Sequence, residues 1–178
     1  MKKLTQKELN EIIKLHQKWV DGELENSKKH NISFALKLSI FAHKNQVDKA
    51  GVQYLYHILD VAKQATSDEE FIVALLHDFI EDAENITCQN RRIDVIRNVF
   101  DKNIFQAIIA ITHLKNEKRS DYIARISKNK LATAVKRYDI NSNSNSQRLL
   151  LIKDVETRNR LINKRTNYHA FFLTFKNK

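Results

Sequence analysis

Apolar residues recur at helical spacing in a series of short segments separated by polar stretches. Ile32 to Lys44 carries Phe34, Leu36, Leu38, Ile40 and Phe41 and reads as a helix. A loop from Asn45 to Val52 holds Gly51, and Gln53 to Gln64 is the next helix. Ser67 with Glu70 three residues on is a capping-box signature. It opens a helix whose first half, Phe71 to Leu76, is wholly apolar and whose second half delivers His77, Asp78, Glu81, Asp82 and Glu84. Further helices are predicted over Asn90–Val99, Asn103–His113 with Asp101 as its cap, Asp121–Ser127 and Lys130–Ile140, followed by a final run through residues 147 to 175. Nearer the start, Thr5 and Glu8 form another capping box, opening an amphipathic helix to about Val20. Leu15 and Trp19 on that helix read as anchors against the domain or a partner. The polar stretch Asp21 to Asn31 reads as a connection.

Composition sharpens this into a fold class. There are no prolines and two glycines, so the chain has few devices for tight turns. The expectation is an all-α protein: one helical bundle over residues 31–178, preceded by a helical extension over residues 1–30. A length of 178 residues suits one domain with a sizeable core. The content of Leu, Ile, Val and Phe excludes a disordered chain. No apolar run approaches the roughly 18 residues of a membrane span. The charged, amphipathic start lacks the apolar centre of a signal peptide, so a cytoplasmic protein with no membrane partner is expected. Cys88 is the single cysteine, which excludes an internal disulfide and a multi-thiolate zinc site. The net charge of +10 is unevenly spread, because residues 113–178 hold 16 Lys+Arg against 5 Asp+Glu. Such a field attracts a polyanion: a multiply phosphorylated small molecule, a nucleic acid or an acidic membrane face. In the last segment the basic residues alternate with Phe171, Phe172, Leu173 and Phe175, which demand burial. A closing core helix with a basic outer face is therefore favoured over a nucleic-acid helix.

The acidic end of the apolar helix is where chemistry enters. Carboxylates at a helix C-terminus oppose its dipole, and buried carboxylates need a partner or a cation. On a regular helix His77 lies over Glu81 and Asp78 over Asp82. His77 and Asp78 point about 100° apart, so they share one ion only at a helix edge with other helices around it. His57 sits among apolar residues in "QYLYHILDVA", and Asp139 ends the helix-patterned run "LATAVKRYDI". A His in such a setting is more commonly a hydrogen-bonded core residue. Taken together, the four side chains make a two-His, two-Asp shell suited to a divalent metal, with other positions left to water and substrate. Glu81 or Asp82, one turn on, can orient water or take its proton.

The whole register carries a resemblance. "AHKNQVDKAGVQYLYHILDVA", "ALLHDFIEDAENIT" and "AVKRYDINSNSNSQR" resemble, in order and spacing, the HD-domain phosphohydrolases, above all the RelA/SpoT-type hydrolase domain and the small alarmone hydrolases. His43, Gln46, Gly51, Tyr54 and His57 match one family segment; His77, Asp78, Glu81 and Asp82 match the second; Asp139 and Asn143 match the third. The resemblance implies a divalent ion, Mn²⁺ in type, on His57, His77, Asp78 and Asp139. It implies water activation by Glu81 and Asp82, and a nucleotide or ribose contact from Asn143. The implied reaction removes pyrophosphate from the 3′ side of a guanosine alarmone, ppGpp or pppGpp. Two alternatives stay open: an HD-fold nucleotide- or RNA-binding module without turnover, and an HD nucleotidase that releases phosphate.

Substrate contacts are expected from Asp48, Lys49, Tyr54, Asn143 and Arg148. Lys49, Lys136, Arg137 and Arg148 flank the motifs and either bind phosphates or stay as solvated surface charge. Tyr54 either stacks under a base or packs as an ordinary half-buried Tyr. The chain departs from the family pattern at Asp48, where a basic residue is usual, at Ile58 for proline, at Ala83 for Thr and at Asn45 for Gly. These departures leave the metal and water positions intact and bear on the substrate.

Overall fold

The wholly apolar run after Ser67 becomes the central element of a helical bundle. A computed structural model describes residues 27–83, 88–163 and 166, with side chains at all of these except 27–30 and 146–148. In chain order the helices are α1 Ser27–His43, α2 Tyr54–Ala62, α3 Asp68–Leu76, α4 Phe79–Asp82, α5 Gln89–Val99, α6 Lys102–Ile111, α7 Arg119–Ser127, α8 Lys130–Asn143 and α9 Ser146–Leu151. A further helical stretch covers residues 155–163. The described residues contain no strand; a lone antiparallel bridge, Val47 to Gln53, closes the loop after α1. No helix among them is long and apolar enough to cross a membrane.

Helix α3 packs against α1, α2, α6 and α8. A helix surrounded in this way has no use for a polar face. Ile72, Val73, Ala74, Leu75 and Leu76 are accordingly at most 2% exposed, and each buried Leu, Ile or Val contributes about 1.5–3 kcal/mol. Its start is capped as the sequence indicates: Ser67 Oγ accepts from the Glu70 amide at 3.1 Å. Glu70 does not reach back to Ser67. Its carboxylate accepts instead from the Thr66 amide (2.8 Å), the Thr66 hydroxyl (2.9 Å) and the Tyr138 hydroxyl (2.9 Å), which ties α3 to α8. Ser67→Ala is expected to cost about 1 kcal/mol and to lower the melting temperature by several degrees. A thermal unfolding curve superimposable on the wild type would count against this cap.

The structure corrects the sequence reading at four places. The helix does not run on regularly to Glu84. It is interrupted at His77–Asp78, where Asp78 takes φ −101°, ψ 1°, and a single turn, α4, follows. The break lets Phe79, Ile80 and Ala83 join the core together with α3. The one-turn helix would strand its last carbonyls. Arg92 of α5 takes two of them, donating to the carbonyls of Ile80 (2.6 Å) and Glu81 (3.0 Å). The polar connection expected over residues 21–31 is helical from Ser27. No glycine or proline stands between Ser27 and Asn31, and helix propagation from a packed segment costs little. Helix α8 continues past Ile140 to Asn143, because Ser142 turns inward and is buried. The run expected from 147 onward is broken at residues 152–154, where the Asp154 carboxylate accepts from the Thr157 amide (2.7 Å) and caps a new helical start. The Thr5–Val20 helix with Leu15 and Trp19, Glu84, the side chain of Arg148, and Phe171, Phe172, Leu173 and Phe175 lie outside the described residues.

Candidate metal centre

Three helices converge at the C-terminal end of α3. Helix α2 brings His57, the end of α3 brings His77 and α8 brings Asp139, all buried at 4%, 2% and 6% exposure. One nitrogen from each His and one oxygen of Asp139 lie within 4.8 Å of one another, the spread of a cation's ligand shell. His57 Nε2 is 3.3 Å and His77 Nε2 is 3.9 Å from Asp139 Oδ1. Asp78 stands beside this trio. Its Oδ2 is 3.0 Å from His77 Nε2 and 3.8 Å from His57 Nε2, and it accepts a 2.5 Å hydrogen bond from the Tyr54 hydroxyl. The break at Asp78 thus removes the difficulty of two adjacent side chains pointing 100° apart.

The chemistry of the donor set fits a divalent cation. His77 Nδ1 donates to the Ala74 carbonyl (2.8 Å), which can only accept, so the other nitrogen faces the site. That nitrogen, Nε2, is buried without an aligned hydrogen-bond partner, although Asp78 is close. Asp139 is held from both sides, Oδ2 by Lys136 Nζ (2.9 Å) and Oδ1 by the Asn143 amide (2.5 Å). Imidazole nitrogens and carboxylates so placed suit a borderline first-row divalent ion.

The electrostatics point the same way. Burial on its own would lower His77, but the Asp78 and Asp139 carboxylates raise it to about 9. A group pulled that far toward its cationic form lies in a strongly negative local field. Burial would raise Asp78 and Asp139; His77 holds Asp78 low, and Lys136 with His57 holds Asp139 well below the usual carboxylate range. At the rim, Glu81 is pushed up to about 7. Loss of surrounding water is the main cause, opposed by the His113 amide and reinforced by the Asp78 charge. The His113 amide donates to the Glu81 carboxylate. Asp82, still exposed at the rim, is raised for the same two reasons, partial loss of water and the Asp78 charge. Arg125 of α7 fixes the segment carrying His113, donating to the carbonyls of Ala110 (3.0 Å) and Thr112 (2.7 Å) and to Glu117 (2.7 Å).

A cavity of about 360 Å³ opens onto this cluster. His57, Asp78 and Asp139 of the cluster line it together with Glu81, Asp82, Asp48, Lys49, Tyr54, Lys136 and Asn143. Most residues singled out in the sequence are therefore brought together. Arg137 is exposed and does not line it. Several have tasks inside the protein. The Tyr54 hydroxyl serves Asp78, and the Asn143 amide serves Asp139. Asp48 Oδ1 accepts from the amides of Ala50 (2.8 Å) and Val52 (3.0 Å), organising a loop whose Gly51 has φ +76°. His43, a motif residue without an assigned role, is buried with Nδ1 on the Gln46 side chain (2.7 Å) and its ring against Tyr54. Sequence reasoning missed Ser142, whose hydroxyl lies 3.0 Å from His57 Nδ1, and the His113 amide. Ser142 was discoverable, since it lies three residues from Asp139 and so on the same helix face. The backbone amide left no trace in residue type.

No family model and no curated protein matches the chain. The described residues form an all-helical bundle with a buried His/His/Asp cluster able to hold a metal ion, consistent with an HD-like fold and with a metal-dependent hydrolase.

Proposed function

We propose that the chain is a metal-dependent phosphohydrolase of the HD type, acting through its 31–178 domain on a phosphorylated nucleotide. The substrate we favour is a guanosine alarmone, with loss of its 3′-pyrophosphate. One observation carries the reading: His57, Asp78 and Asp139 of the cluster line one cavity together with Glu81, which is raised to about 7. A hydrolase needs a cation and a base together, and a binding module has less use for the base. Bound at His57, His77, Asp78 and Asp139, a divalent ion such as Mn²⁺ supplies Lewis acidity toward water and phosphoryl oxygens. Glu81, near its midpoint at neutral pH, accepts the proton of the attacking water, and Asp82 orients that water. Lys49 at the mouth and Lys136 deeper in meet phosphate charge. Asp48, Tyr54, Asn143 and Arg148 complete the substrate contacts.

The test is turnover by the full chain with Mn²⁺ against a panel of guanosine 3′,5′-bis(diphosphate), nucleoside triphosphates and monophosphates, with products separated by ion chromatography. Pyrophosphate release is expected from the 3′-diphosphate, lost on chelation and in Asp78→Ala. Phosphate release would favour a nucleotidase. Absence of turnover on every phosphorylated nucleotide would overturn the proposal.

A further inference from the structure

Arg125 of α7 closes the C-terminal end of α6. Its guanidinium donates to the carbonyls of Ile109 (2.5 Å), Ala110 (3.0 Å) and Thr112 (2.7 Å). The Tyr122 hydroxyl, three residues earlier on α7, takes the carbonyl of Ile111 (2.5 Å). Satisfying the last carbonyls of a helix accounts for Ile109, Ala110 and Ile111. Thr112 differs. It stands after the helix, with ψ 123°, and its carbonyl belongs to the same peptide unit as the His113 amide. That amide donates to the Glu81 carboxylate, which lines the cavity. A trans peptide unit is planar, with its C=O and N–H pointing to opposite sides. Holding the Thr112 carbonyl from α7 therefore aims the His113 N–H the other way, at Glu81.

The guanidinium is itself fixed. Glu117 accepts from Arg125 at both carboxylate oxygens, from Nε at 3.0 Å and from Nη2 at 2.7 Å. The same carboxylate accepts from the Leu114 amide (3.1 Å), and the Glu117 amide donates to the Leu114 carbonyl (3.1 Å). Asn116 at φ +64° completes this turn, in a conformation that asparagine tolerates. The successive amides of His113 and Leu114 thus end on two different carboxylates, Glu81 at the cavity and Glu117 at the clamp. We infer that Arg125 and Glu117 are positioning residues for Glu81: they lock the peptide between Thr112 and His113 so that its N–H holds one Glu81 oxygen and leaves the other for the attacking water. Neither lines the cavity, so both act through Glu81 and not on substrate. The catalytic part rests on Glu81 being the base, as proposed above.

Two measurements on the full chain test this. Arg125→Lys keeps the charge but cannot reach two carbonyls and a carboxylate at once. Glu117→Gln removes the anion that orients the guanidinium and is the milder change, so it reports even where Arg125→Lys disturbs the fold. The first readout is the His113 amide proton in ¹⁵N-labelled protein. A carboxylate acceptor moves it downfield, and Glu81→Ala gives its position without one. Both clamp variants are expected to shift it toward the Glu81→Ala position. The second is turnover of guanosine 3′,5′-bis(diphosphate) with Mn²⁺. Both variants are expected to lose about 10–100-fold in kcat, the scale of a misplaced catalytic group, with KM unchanged. In a Glu81→Gln background the same changes are expected to cost nothing further, because the position of the side chain no longer matters once the base is gone. An unmoved His113 signal in both variants, or a kcat loss that repeats in full on top of Glu81→Gln, would overturn the positioning role. A wild type without turnover would overturn the phosphohydrolase reading instead, and the His113 signal would still decide whether Arg125 orients the peptide.

Discussion

Asp139→Ala is expected to abolish cation binding and to destabilise the protein by about 3–5 kcal/mol, the usual cost of removing one partner of a buried ion pair. Asp139 is 6% exposed, and its carboxylate holds Lys136, itself 9% exposed. Alanine takes away the anion bonded to that ammonium at 2.9 Å and leaves the Tyr122 ring, 5.6 Å away, as a weaker cation–π contact. The stability cost comes from desolvated charge, so an apolar pair should recover it. Lys136→Met combined with Asp139→Leu is expected to unfold near the wild-type denaturant midpoint and still bind no Mn²⁺. Lys136→Met alone leaves an anion in the site, so Mn²⁺ should stabilise this variant more than it stabilises the wild type. Urea titrations with and without Mn²⁺ separate these cases. Undiminished affinity in Asp139→Ala would remove Asp139 from the ligand shell.

How far the sequence reached follows from what each feature depends on. The apolar run Phe71–Leu76 was legible because all-round burial leaves a run with no polar face, and α3 is that helix. Ser67 and Asp101 were legible as caps because capping is local; Asp101 accepts from the amides of Asn103 and Ile104 at 2.9 Å. The interruption at His77–Asp78 was not legible. It depends on Phe79 and Ile80 entering the core and on Arg92, a distant residue that closes the short turn. His57 was legible only through the register of the three motifs, since its surroundings read equally well as ordinary core. Tyr54 and Asn143 show a subtler gap. Residue type and spacing marked them as belonging to the site. Only coordinates reveal that their polar groups are turned to Asp78 and Asp139.

Glu81→Gln is expected to lower kcat by about 10²–10⁴-fold, the range for loss of a general base, and to erase the acidic limb of the pH profile. The ordinary glutamate value is 4.5, and Glu81 is pushed up to about 7. Below that pH the side chain is protonated and cannot take a proton from water. As pH rises through about 7 it ionises, so the rate rises with pH and then levels. Part of the upward push is the charge of Asp78, which a bound cation would neutralise, so with a cation in place the limb is expected at or below about 7. Glutamine is nearly isosteric and keeps an oxygen for the His113 amide, so the rim geometry survives while basicity is lost. Asp82→Asn is the comparison that assigns roles. If Glu81 is the base and Asp82 orients the water, the asparagine variant is slower but keeps the limb. A limb that persists in Glu81→Gln and vanishes in Asp82→Asn would exchange the two roles, and a limb present in both would place the base elsewhere.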